Sequence, residues 1–405
     1  MISILFEGWR LLQHSYGNVL AFLLIHLWKQ YGPDKTNEII FYVRECSYHD
    51  TNWKNRQKLT YSPEYNRILK NLRPYNGEKV DIIYRQTYPY NLEPPQNQGT
   101  PVCVFYTSEF AVLNNSYFHH DPKQDIKNYL IKNQNFYFTA PSEWSSRGMI
   151  PYLDDKKRNR IISHGVDTSI FYRHSNDSIR LQIRRKYDIL DNEILLINVG
   201  AMTMNKGIFL ILEALYQLVI IQKLPFKLLL KGMTDLYKSQ EFVDAYLQNL
   251  GYNTTTLKSH IIFIDGTLNY SEINDLFNAS DLYISPYLAE GFGLTMLEAL
   301  ASGLRVLVPM TGSASDYIDP IYKNGGESYI YYVDSTVIQD GAGLYKNQIH
   351  SQDIIRILSK NMSNIKTILN DKTYLLLKKY IKRDYSWYKV STDLYNYFMD
   401  IIVQK

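Results

Sequence analysis

Two hydrophobic rhythms alternate along the chain. Short runs rich in β-branched and aromatic residues occupy positions 2–6, 38–43, 80–84, 102–106 and 136–140, then 194–199, 227–231, 261–264, 282–285 and 305–309. Such runs read as strands buried on both faces. Stretches with apolar residues three and four apart lie between them, at 19–29, 208–222, 239–250, 270–279 and 294–301, and read as helices. Strand–helix alternation predicts parallel sheets covered on both sides. Right-handed crossovers then give an α/β architecture of two Rossmann-like, doubly wound domains. The expected division is a first domain over 1–165, a second over 166–383 and a terminal segment over 384–405. The tail from 373 onward reads as helix, broken near 384–386, with no proline in its last part.

At 405 residues the chain is long enough for two or three domains. Its 45% hydrophobic and 21% charged content is that of a globular protein, and a net charge of +4 selects no polyanionic partner. Two cysteines, Cys46 and Cys103, make neither a disulfide scaffold nor a CxxC metal or redox pattern, so a reducing compartment is expected. No apolar run reaches the length a bilayer requires, and the N-terminus lacks the charge order of a signal peptide. The expectation is a soluble, cytoplasmic protein with peripheral membrane contact left open. The basic runs 156–160 and 184–186 sit among acidic residues and read as solvated faces or a contact for an anionic lipid surface, not as a nucleic-acid site.

The segment with most chemistry is Glu290-Gly291-Phe292-Gly293-Leu294-Thr295-Met296-Leu297-Glu298. It follows an apolar run ending in Ser285-Pro286. Gly291 and Gly293 permit unusual backbone dihedrals and a close approach to a ligand. The helix that begins at Leu294 offers unpaired N–H groups and a partial positive charge, suited to a diphosphate. Glu290 sits in the turn, and Glu298 lies one helical turn beyond Leu294. An ordinary strand–turn–helix crossover would need neither carboxylate. A second segment, Ile197-Asn198-Val199-Gly200-Ala201-Met202-Thr203-Met204-Asn205-Lys206-Gly207, sets a lysine beside a glycine at a helix start, where it can act as a point charge on a phosphate. Lys231 follows the next apolar run.

The spacing from Glu290 to Glu298 resembles the E-x₇-E signature of the retaining, GT-B-fold glycosyltransferases of family 4. The 197–207 segment resembles the strand–loop–helix opening of that family's donor domain, and Ser163-His164-Gly165-Val166-Asp167 resembles the Gly-Val-Asp start of the same domain. The resemblance implies a GT-B fold, with two Rossmann-like domains facing a cleft and a C-terminal helix that returns to the first domain. It implies that Glu290 contacts the donor sugar, that Glu298 holds the ribose hydroxyls and that Lys206 reaches the diphosphate. Gly291, Phe292, Gly293, Leu294, Thr295, Lys231 and Gly17 complete the expected donor site. Ala201 departs from the pattern, since many relatives carry arginine there; Lys231 or Arg85 is the expected compensating cation. In the first half, His14, Ser15, Tyr16 and Gly17 lie between the first strand and first helix, and Arg85 and Glu109 follow later strands. By Rossmann logic the loop carrying His14, Ser15 and Tyr16 faces a ligand. Arg85 and Glu109 join these three as acceptor-side candidates through the resemblance to a subgroup of that family. His164 is read as hydrogen-bonded structure, and the His119-His120 pair as no metal site.

The expected activity is hexosyl transfer from a UDP- or GDP-sugar to a glycan, lipid-linked, protein or small-molecule acceptor, with retention. No Asp-x-Asp motif occurs in the chain, so no metal and no cofactor are expected. Two alternatives stay open. One is a catalytically inactive sugar-nucleotide-binding protein, and the other is a nucleotide-sugar epimerase of the same fold.

Overall fold

The computed structural model describes residues 1–10, 12, 14–47, 61–119, 125–249, 254–367 and 369–403. His120 and Leu250, which fell within the segments singled out above, lie outside the described residues. The chain forms two compact units, one of Met1–Gly165 with Asp384–Lys405, the other of Val166–Arg383.

The first unit is built on a seven-stranded, all-parallel sheet. Its strands are β1 (Ile2–Gly8), β2 (Ile39–Glu45), β3 (Arg73–Pro74), β4 (Ile82–Gln86), β6 (Val102–Phe105), β8 (Phe136–Ala140) and β9 (Asn159–Ile161), in the order β3-β2-β1-β4-β6-β8-β9. A two-residue bridge, β5 (Tyr90–Asn91) with β7 (Phe118–His119), stands apart. The helix Ser15–Tyr31 buries Leu20, Phe22, Leu24 and Leu27. The terminal helix Trp387–Val403 packs alongside it. Trp387 stacks on Phe22 at 5.5 Å, Tyr395 on Tyr31 at 3.9 Å, and Ser391 accepts a hydrogen bond from the Gln30 amide at 2.7 Å. Phe398 reaches Phe6 and Tyr84 on the sheet. Gly165 has no space for a β-carbon, which would stand 2.7 Å from the Trp387 nitrogen, so this glycine lets the two chain segments meet.

The second unit holds a six-stranded parallel sheet of β10 (Ile194–Val199), β11 (Phe226–Lys231), β12 (Ile261–Ile264), β13 (Leu282–Ile284), β14 (Arg305–Pro309) and β15 (Ile330–Val333), in the order β12-β11-β10-β13-β14-β15. A hairpin of β16 (Thr336–Gln339) and β17 (Tyr345–Gln348) follows. Its core gathers Ile194, Leu196, Leu228, Leu230, Leu282 and Ile284 with Ile211, Leu215 and Leu218. Each order reverses direction once, between β1 and β4 and between β10 and β13. Ligands of doubly wound sheets bind at that switch, beyond the carboxyl ends of the strands.

The two basic runs are not solvated faces throughout. Arg158 is buried and donates to the carbonyls of Leu130, Asn133 and Phe136 and to Asp154. Arg184 is buried against Asp281 and the carbonyls of Leu190 and Glu193. A guanidinium has five donors in a plane, enough to satisfy several chain-end carbonyls together. No helix among the described residues is long and apolar enough to cross a membrane.

Candidate active site

In the second unit, β10 and β13 are parallel neighbours, with Leu196 opposite Leu282 and Ile197 opposite Tyr283. The loops that leave their carboxyl ends therefore run side by side. Asn205 ties them together. Its carbonyl accepts from the backbone N–H groups of Leu288, at 2.7 Å, and Ala289, at 3.1 Å, and its side-chain amide donates to the Ala289 carbonyl. Gly207 follows with φ +69°, and a β-carbon there would meet the Pro286 carbonyl oxygen at 2.1 Å. Only glycine combines that left-handed backbone with that approach.

This clamp brings Lys206 to Glu290. The ammonium lies 2.7 Å from Oε2, and both side chains keep about a fifth of their surface exposed. The other carboxylate oxygen, Oε1, accepts from the Gly291 backbone N–H at 3.0 Å. Gly293, at φ +88°, opens the helix Leu294–Ala301. The turn is held from behind. The Tyr317 hydroxyl donates to the Gly293 carbonyl at 2.9 Å, Phe292 stacks on the Tyr317 ring at 4.8 Å, and Thr295 shares a 2.6 Å hydrogen bond with Tyr283.

Glu298 lies one turn along this helix, between the buried Leu297 and Ala299. Among the described residues no donor reaches its carboxyl group. Burial without a partner pushes its pKa up to about 8, so the unliganded protein keeps it largely protonated at neutral pH. A carboxyl group held in this way is a mark of a functional position. Lys231 ends β11, opposite Val199. It is buried, its ammonium donates to the Gly232 carbonyl at 2.7 Å, and burial lowers its pKa to about 8.

The first unit gathers a second set at the ends of β1, β4 and β6. His14 caps the helix Ser15–Tyr31, with Nδ1 accepting from the Tyr16 backbone N–H at 3.3 Å. Ser15 is exposed. A β-carbon on Gly17 would lie 2.1 Å from the Leu12 carbonyl oxygen, so Gly17 serves close packing of the loop. The Tyr16 hydroxyl lies 3.2 Å from that of Tyr90, and its pKa is raised first by burial, then by Tyr90 and by the charge of Glu109. Glu109 is thus on the same edge as Tyr16. Trp144 donates to its backbone carbonyl at 2.7 Å.

Arg85 corrects the expectation of a ligand-facing cation. Strand register sets Glu7 opposite Arg85 on one side and Arg44 on the other. The Arg85–Glu7 pair is 2.7 Å apart with both side chains 4% exposed, and Arg85 also donates to the carbonyls of Asn91 and Glu93. Its charge is paired inside the unit, and Nε and Nη1 are bonded there. His164 is buried between Phe105 and Trp387, and burial drives its pKa down to about 3. It is neutral, with the structural role expected of it. His119 lies 3.8 Å from Glu93.

Asn205, Tyr283 and Tyr317 position the site and were not foreseen. Asn205 carried a weak signal, standing directly before Lys206-Gly207. The tyrosines carried none, because their partners come from the fold.

The chain is thus two Rossmann-like units, the second bearing a lysine–glutamate pair at its switch point. Residues 179–325, inside the second unit, match the family Glycosyl transferases group 1. An uncharacterized glycosyltransferase of Methanocaldococcus jannaschii is 26% identical over 159 residues, 39% of this chain and 38% of that protein. The lipopolysaccharide glucosyltransferase WaaG of Escherichia coli is 27% identical over 167 residues, 41% of each. The matches thus span well under half the length of these relatives. Among solved structures, a glycosyltransferase from Rickettsia africae superposes with a TM-score of 0.69 at 14% identity, covering 100% of this chain and 99% of that one. Anabaena HepE in complex with UDP and glucose gives a TM-score of 0.63 at 14% identity, covering 98% and 99%. At such identities the likeness establishes the fold, and the fold is GT-B.

Proposed function

We propose that this protein is a retaining glycosyltransferase that takes a sugar from a UDP- or GDP-sugar and passes it to an acceptor hydroxyl without a metal ion. The observation that carries the reading is the Lys206–Glu290 pair at the glycine turn, with Glu298 on the helix that the turn begins. Lys206 and the first N–H groups of that helix suit the diphosphate, where charge grows as the anomeric C–O bond breaks. In this reading Glu290 orients sugar hydroxyls, and Glu298 holds the ribose diol. The new C–O bond forms on the face the diphosphate leaves, and a departing diphosphate oxygen takes the acceptor proton. His14, Ser15, Tyr16 and Glu109 are the acceptor-side candidates. The similarity to named glycosyltransferases supports the class, and the missing Asp-x-Asp motif motivates the metal-free site.

A panel of nucleotide sugars, scored by thermal stabilisation and by slow donor hydrolysis, identifies the donor. With that donor, turnover is expected to survive EDTA. NMR of the product's anomeric proton should show the donor's configuration. Inversion would reject the front-face step, and activity lost to EDTA and restored by Mn²⁺ would reject the metal-free site.

A further inference from the structure

The helix Asp371–Asp384 has two unlike faces. Tyr374, Leu377 and Ile381 are buried in the second unit. Tyr374 anchors the helix, accepting from the Arg173 backbone N–H and donating to the Ala301 carbonyl. The opposite face is exposed, and Lys372, Leu375, Leu376, Lys379, Lys382 and Arg383 all lie on it. At 100° per residue these six positions span an arc of about 120°. Leu375 is 61% exposed and Leu376 50%. Among the described residues, Lys372, Lys379 and Lys382 have no acidic partner. The acidic residue at the edge of the arc, Asp371, is taken by Arg173.

We infer that this face docks on an anionic lipid surface. Single exposed leucines are ordinary on any protein. Two adjacent ones framed by four cations make the amphipathic pattern of a helix that lies in a membrane interface, with leucines at the acyl boundary and ammonium groups at the headgroups. The charge selects the occupant. A second copy of the same face would set these cations against themselves, whereas an anionic leaflet complements each of them. Each lysine near such a surface contributes roughly fivefold in affinity. The helix is about 21 Å long and parallel contact uses its whole accessible face. This inference concerns binding alone and does not rest on the transfer reaction.

The test is sedimentation of the full chain with vesicles of phosphatidylcholine alone, and with vesicles of equal parts phosphatidylcholine and phosphatidylglycerol. The protein should sediment with the second and not the first, less so as salt is raised. Leu375→Ser with Leu376→Ser should lower binding by about tenfold. Lys372→Glu with Lys379→Glu and Lys382→Glu should abolish it. Both variants alter exposed positions, and circular dichroism with unchanged thermal melting confirms that they fold. Absence of wild-type binding overturns the proposal, as does wild-type binding by either variant. Loss on charge reversal alone, with the serine variant intact, also overturns it, because that surface would be a plain polyanion patch; competition by single-stranded RNA would then identify it.

Discussion

Replacing Glu298 by glutamine should stabilise the unliganded protein while weakening its hold on a nucleoside diphosphate. The first effect follows from burial. A glutamate ordinarily titrates near 4.5, and here burial raises the value to about 8. Between those two values the native state keeps a proton that the unfolded chain releases. Stability therefore falls as pH rises through this window, and the full contribution is present only below about 4.5. At pH 7 the window has been crossed for about two and a half units, worth roughly 3 kcal/mol at 1.4 kcal/mol per unit. Solvent contact with the partly exposed side chain screens this to about 1–2 kcal/mol. Glutamine has no proton to lose, so Glu298→Gln removes the dependence. For a unit the size of Val166–Arg383, each kcal/mol moves Tm by roughly 2–4 °C. The variant should thus melt roughly 2–8 °C above the wild type at pH 7, with the gap closing toward pH 5. Calorimetry should show the opposite sign for the nucleotide. A carboxylate that accepts two ribose hydroxyls gains charge-assisted hydrogen bonds worth about 1.5–3 kcal/mol, which glutamine only partly reproduces. Melting curves that stay parallel across pH would refute the burial argument. Unchanged nucleotide affinity would refute the ribose assignment independently.

Lys206→Ala should lower turnover about a hundredfold while weakening donor binding much less, because charge on the leaving group is largest in the transition state. Equal losses in both, read from single-turnover rates and donor titration, would mean uniform binding instead. Arg85→Met should cost about 3 kcal/mol in urea unfolding by leaving Glu7 buried without its main partner, Arg44 remaining as a half-exposed one. A loss below about 1 kcal/mol would show that the pair contributes little.

What the sequence disclosed follows how local each signal was. Residues 194–199, 270–279, 294–301 and 305–309 are strands and helices with the bounds the pattern predicts, because parallel strands buried on both faces give unbroken apolar runs and the helices between them keep one apolar stripe. The helix Ser178–Lys186 escaped notice because its composition is polar and its anchor is a buried arginine, Arg184. The β16–β17 hairpin escaped because its side chains are mostly exposed and lack alternation. Arg85 was misjudged for a related reason. Its partner Glu7 is distant in sequence and adjacent only through the β1–β4 register, which no local pattern reveals. The glycine turn could be read as a ligand site, but the contact between Lys206 and Glu290 depends on β10 and β13 being neighbours.

That contact bears on the departure at Ala201. If Arg85 is spent within its own unit and the Lys231 ammonium is turned onto the Gly232 carbonyl, the proposed diphosphate site relies on Lys206 and backbone N–H groups. Lys206 in turn is not idle before the donor arrives, since Glu290 holds it at 2.7 Å. A bound diphosphate would compete for the same ammonium and release Glu290 from its partner at the place where sugar hydroxyls are expected. The pair then links two events. On the proposed function, anion binding at Lys206 would free a carboxylate beside the sugar, and the sugar hydroxyls would take the place of the lost ammonium, because a partly buried carboxylate that loses its ion-pair partner is costly. A nucleoside diphosphate without its sugar would leave Glu290 with the Gly291 N–H alone. On this reasoning the intact donor binds more tightly than its nucleotide product, which favours product departure after transfer, and the preference resides in Glu290.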